Sequence, residues 1–132
     1  MKARVLTFLL FLLHCGVNVA NPIFVDSGIT YKITSDSTVN VVPANKQESF
    51  YQIFKDSILL IPSSVEYGKR FYRVISIEED AFSTWCGFGS LVISEGLEVI
   101  HSRAFAGCAN LRAVTIPKSV KIIGDNPFAY CI

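Results

Sequence analysis

Beyond position 20 the chain holds one histidine, His101, and three cysteines, Cys86, Cys108 and Cys131. These are the side chains whose types could support acid–base, nucleophilic or metal chemistry. Their placement argues against all three. His101 stands midway between Glu78 and Gly124, 23 positions from each, an interval that puts it on an exposed corner. No Cys-x-x-Cys or zinc-knuckle spacing occurs. Ser, Asp and Glu are scattered singly, with no paired carboxylates, phosphate-cradling glycine loop or nucleophile motif. The chain reads as a non-enzyme with no catalytic, metal-binding or cofactor-binding residue. An odd number of cysteines suggests a free thiol or a bridge to another chain. Cys108 and Cys131, one interval apart, would stack on neighbouring strands about 4.8 Å from each other. Side chains there point the same way, however, and hold their β-carbons further apart than the roughly 3.8 Å a disulfide prefers. Buried free thiols acting as small apolar fillers are expected.

The same interval dominates the second half of the chain. It separates Phe82, Phe105 and Phe128, then Ile77, Ile100 and Ile123, then Val74, Leu97 and Val120. A period of this size lies within the roughly 20 to 29 residues of leucine-rich repeats, whose units bury their apolar sides only by stacking. One unit runs Phe88, Leu91, Ile93, Leu97, Ile100, Ala104, Phe105. The next runs Leu111, Val114, Ile116, Val120, Ile123, Pro127, Phe128. The spacing of two between Leu91 and Ile93, and between Val114 and Ile116, sends both side chains to one side of a short strand. The expected repeat core is Ile77, Phe82, Leu91, Ile93, Leu97, Ile100, Phe105, Leu111, Val114, Ile116, Val120, Ile123 and Phe128. An earlier copy starts at Leu59, Ile61, Pro62 and Val65. Nine additional residues after Val65 read as an inserted hairpin turning at Gly68-Lys69, because a leading glycine supplies the twist of a two-residue loop.

The strings Ile116-Pro117-Lys118-Ser119-Val120-Lys121-Ile122-Ile123-Gly124 and Ala104-Phe105-Ala106-Gly107-Cys108-Ala109-Asn110-Leu111 resemble the repeat of BspA-like leucine-rich-repeat surface proteins. Ile61-Pro62-Ser63-Ser64-Val65 with Tyr67-Gly68-Lys69 is similar to that family's lead-in. The resemblance covers residues 58–132. It implies a secreted or surface-attached microbial protein with a role in adhesion to host cells and matrix. Two departures stand out: Trp85 at the usual cysteine position, and Pro127 in place of alanine.

The expected fold is a leucine-rich-repeat solenoid of 23-residue repeats, mainly β with short turns or helical corners, preceded by a β-rich N-terminal cap. With 132 residues, 51% of them hydrophobic, the chain suffices for one folded domain. Residues 1–20 have the layout of a secretory signal peptide: Lys2 and Arg4, then the apolar run Val5 to Leu13, then Ala20 before the cut. A lipoprotein reading of Leu12-Leu13-His14-Cys15 is weaker, since bulky His14 stands where a small residue is wanted. Residues 21–57 form the cap, with Ile29 to Ile33 and Val39 to Val42 as strands around a Ser35-Asp36-Ser37 turn. Gln47 to Lys55 reads as either a strand or a helical turn. Residues 58–132 are about two and a half repeats, the last incomplete, as in a truncated longer protein. Its uncovered edge would admit pairing with another chain.

Without residues 1–20 the chain carries ten basic and eleven acidic residues. So small a net charge gives no long-range attraction to phosphate backbones, and nucleic acid is not an expected partner. Lys118, Lys121 and Arg112 form a modest basic cluster facing Glu95 and Glu98 one repeat earlier, a solvated pairing worth about 0 to 1 kcal/mol. Function is expected on a repeated surface. The candidate binding face consists of the outward strand positions Leu60 and Pro62, then Ser90, Val92 and Ser94, then Ala113, Thr115 and Pro117. Such a patch suits a protein or glycan ligand. The competing readings are a structural or antigenic surface component without a fixed ligand, and a fragment of a receptor ectodomain, though the chain has no membrane span.

Overall fold

The computed structural model describes residues 21–44, 57–85 and 87–131. The expected signal peptide, the Gln47 to Lys55 segment and Cys86 lie outside the described residues. Regular structure within them is entirely β, in ten strands. The corners between strands are turns.

Two sheets enclose a single core. The smaller is parallel and has the order β4-β7-β9, with β4 at Ser57–Ile61, β7 at Phe88–Ile93 and β9 at Ala113–Thr115. Its inner face is set by alternation: Leu59 and Ile61 on β4, and Leu91 and Ile93 on β7, are buried. Leu91 pairs with Val114, one interval on, whereas Leu59 pairs with Leu91 across one interval and nine further positions. That difference is the hairpin of β5 (Ser64–Tyr67) and β6 (Arg70–Ile77). Tyr67 pairs with Arg70 across Gly68 and Lys69, whose φ values of 58° and 65° give the left-handed conformation that two-residue hairpin loops require.

The larger sheet runs β1-β2-β3-β6-β8-β10, with β5 also on β6. Here β1 is Ile23–Asp26, β2 Ile29–Ile33, β3 Thr38–Val41, β8 Val99–Ile100 and β10 Ile122–Ile123. Ile77, Ile100 and Ile123 stand side by side on β6, β8 and β10. The first strand, β1, is absent from the expectations drawn from sequence. Its four residues alternate between exposed and half-buried, so no apolar contrast marks them. Phe24 on β1 stacks on Tyr31 and Tyr67, with ring centroids 5.4 and 4.4 Å away. Strands β2 and β3 form the expected hairpin, and β3 then joins β6 in parallel, continuing the sheet into the repeats.

The third side of each repeat is a turn carrying the phenylalanine column. Phe82 stacks on Phe105 at 5.2 Å and 5°, and Phe105 on Phe128 at 5.3 Å and 8°. Main-chain bonds join neighbouring turns, Phe82 N to Ala104 O and Phe105 N to Pro127 O, each 2.8 Å. Left-handed φ recurs at the repeat interval at Asp80, Arg103 and Asn126, and again at Thr84, Gly107 and Tyr130. The backbone therefore repeats even where the side chains do not.

Burial departs from the expected core in its last third. Ile77 and Ile100 are wholly buried, but their partner Ile123 is 52% exposed. Val114 and Ile116 are exposed too, while Leu111, Val120 and Phe128 are only partly covered. These side chains occupy the core positions, yet no further strand among the described residues packs over them. The thiols differ likewise: Cys108 is buried and Cys131 half-buried.

Candidate functional site

The outer face of the small sheet brings the expected binding residues together. Leu60 stands beside Val92 and Val92 beside Thr115, and Ser90 stands beside Ala113. Pro62, Ser94 and Pro117 continue the strands, with Ser94 N donating to Ile61 O at 3.0 Å. All eight residues are exposed or half-buried, and none is charged. The face is a weakly polar surface three strands wide, with its apolar weight on β4.

Sequence reasoning missed one member. Ile58 pairs with Ser90 and is 62% exposed, which completes the row Ile58, Ser90, Ala113. Its signal was present, since Ile58 is in phase with Leu60. A groove of about 460 Å³ also opens beside β4, lined by Asp26, Ser27, Tyr31, Ile58, Leu60 and Glu66 among others. No linear motif announces it, because its two carboxylates come from residues 40 positions apart. Burial pushes the Tyr31 phenol far above its ordinary value, and the charge of Asp26 adds to the rise.

His101 is exposed, as its interval suggests. An organised polar contact lies on the turn side. Arg103 donates through Nε and Nη2 to Asp80 at 3.1 and 3.0 Å, and its Nη2 is 2.8 Å from Glu79. The guanidinium hydrogen bond holds the Asp80 carboxyl below the usual carboxylate range. Both described cysteines have a structural contact: the Cys108 thiol donates to Phe82 O and the Cys131 thiol to Phe105 O, both at 3.2 Å. Among the described residues no group of three or more His, Cys, Asp or Glu could hold a metal ion, and no helix is long and apolar enough to cross a membrane.

A family model described as BspA type leucine rich repeat region (6 copies) matches residues 75–132. The chain is 31% identical to a leucine-rich repeat protein from Bacteroides ovatus over 82% of its length, with a TM-score of 0.69. It is 23% identical to a leucine rich cell surface protein from Faecalibacterium prausnitzii over 87%, at 0.67, and 17% identical to the pneumococcal vaccine antigen PcpA over 84%, at 0.61. The last two likenesses concern the fold. This chain spans 27%, 30% and 31% of those three proteins respectively. No curated protein matches its sequence. The matching family is a repeat family and names no reaction. The fold is a leucine-rich-repeat fold, and through residues 75–132 the chain belongs to the BspA-type leucine-rich-repeat family.

Proposed function

We propose that this chain is a secreted or cell-surface binding module that adheres to host-cell or matrix proteins or glycans through the outer face of the small sheet. In this reading residues 1–20 are a signal peptide, 21–57 cap the first repeat, and 58–132 are a solenoid of 23-residue repeats around the phenylalanine column. The observation that carries the proposal is the register of that face, in which Leu60, Val92 and Thr115 align across three strands without a charge among them. Support for a surface location comes from the Faecalibacterium cell surface protein and the pneumococcal vaccine antigen, which share the fold. Contacts of this kind are individually weak, so adhesion would depend on many copies displayed together.

The competing reading is an antigenic surface component without a fixed ligand, and saturable binding separates the two. Replacing Val92 and Thr115 together by lysine places two charges at the centre of the face, on a half-buried and an exposed position. Adhesion of the displayed protein to host cells or matrix should fall while the circular dichroism spectrum and Tm hold. Equal binding by the double variant would exclude this face as the adhesive surface.

A further inference from the structure

We propose that the depression between the turns around Arg103 and Asn126 binds a neutral sugar, stacked on the ring of Tyr130 and hydrogen-bonded by Asp125 and Asn126. The site lies on the turn side of the fold, away from the small sheet, and does not depend on the adhesive face proposed above.

The shape of the site supplies the first argument. The depression measures about 550 Å³, within the roughly 300 to 1,000 Å³ of small-molecule sites. Its walls are successive copies of one turn: Glu79, Ser102 and Asp125 line it at one repeat position, and Arg103 and Asn126 at the next. Ala106 and Ala129 line it three residues further on, where a methyl group leaves open the space that a longer side chain would fill. Hydrogen bonds fix the two turns against each other. Gly107 N donates to Ala129 O at 2.7 Å, Arg103 N to Asp125 O at 3.2 Å, and Asp125 N to Ser102 Oγ at 3.0 Å. A site held in this way needs little ordering when a ligand arrives.

The chemistry of the lining supplies the second argument. Tyr130 is 81% exposed and borders the depression. Earlier repeats carry Thr84 and Gly107 at its position, with the same left-handed backbone, so the ring is an addition to a turn that otherwise repeats. The position faces outwards even where another turn stacks beside it, since Thr84 is exposed. A tyrosine ring presents an apolar face of negative potential, which suits the C–H groups on the flat side of a pyranose. Next to it the Asp125 carboxylate can accept hydrogen bonds and the Asn126 amide can both donate and accept. That combination complements neighbouring sugar hydroxyls. The Arg103 guanidinium is already engaged through Nε and Nη2 by Asp80 and Glu79. An acidic sugar would have to compete with those carboxylates and would meet a further one at Asp125, which favours a neutral ligand.

The probes are cellobiose, lactose and N,N′-diacetylchitobiose, all neutral disaccharides, titrated into the isotope-labelled chain and followed by amide chemical shifts. Saturable shifts centred on the turns of Arg103 and Asn126 are expected from at least one of them. Tyr130→Gly puts at a φ of 59° the residue that Gly107 supplies one repeat earlier. It keeps the turn and removes the ring, and should weaken binding about tenfold, whereas Tyr130→Phe keeps the ring and should bind within about twofold of the parent. Asp125→Ala should weaken binding about tenfold. Sialyllactose, which is anionic, should bind more weakly than the best neutral probe. Absence of saturable shifts with every neutral probe would overturn the proposal even if a variant failed to fold, and so would tighter binding of sialyllactose or unchanged binding by Tyr130→Gly. Shifts centred on Val92 and Thr115 instead would overturn this site while supporting glycan binding by the small sheet.

Discussion

Phe105 has a phenyl ring on each side and no exposure. Truncation to alanine removes both stacking contacts and leaves a cavity between turns joined by main-chain bonds, so the site cannot collapse freely. Phe105→Ala should cost about 3 to 5 kcal/mol by urea denaturation. Phe128→Ala should cost less, since Phe128 has one stacking partner and is only partly covered. The Asp80 carboxylate presents a smaller, pH-dependent effect. Arg103 lowers its pKa in the folded chain, so the pair contributes above the unfolded carboxylate value, and the contribution disappears as pH falls through the lower folded value. Both groups are solvent-exposed, and the stabilisation is correspondingly small. An NMR titration should place the Asp80 midpoint below the ordinary carboxylate range, and Arg103→Gln should return it towards that range.

Between strands, close approach of neighbouring turns sets the limits. A β-carbon on Gly124 would collide with the main chain of His101 and Ser102. The Gly124 N–H also donates to Ile100 O at 2.7 Å, holding the two backbones together. Gly107 differs: its φ is +73° but its surroundings offer ordinary contact distances to Thr84. Gly107→Ala should therefore cost about 1 to 2 kcal/mol, the penalty of left-handed backbone. Gly124→Ala should cost more and lower Tm further, because the strands must separate to admit the methyl. Much of this level was legible in the sequence. The interval between Phe82, Phe105 and Phe128 located the column, and Gly68-Lys69 located a hairpin, because each depends on residues near in sequence or repeated at fixed spacing. Strand β1 was not legible from its half-exposed side chains, although Ser27-Gly28 after it, with φ of 49° and 80°, is a dipeptide that marks turns. The β4 groove was not legible because Asp26 and Glu66 meet only through the folded chain.

Across the molecule, burial falls from the middle repeat towards β9 and β10. Leu91 and Ile100 are enclosed, whereas Val114, Ile122 and Ile123 are open on one side. Local opening should follow the same gradient. Amide hydrogen exchange should be slowest in β6 and β7 and fastest in β9 and β10, and uniform protection would contradict the burial pattern. The sheets have one further consequence. Their parallel strands lie across the direction in which repeats succeed one another. Tension applied along that direction loads the bonds between neighbours one row at a time, as a zipper is opened. The molecule would lengthen in discrete steps, each releasing about 75 Å of slack per repeat. A tether of this design yields gradually under drag instead of parting at a single threshold.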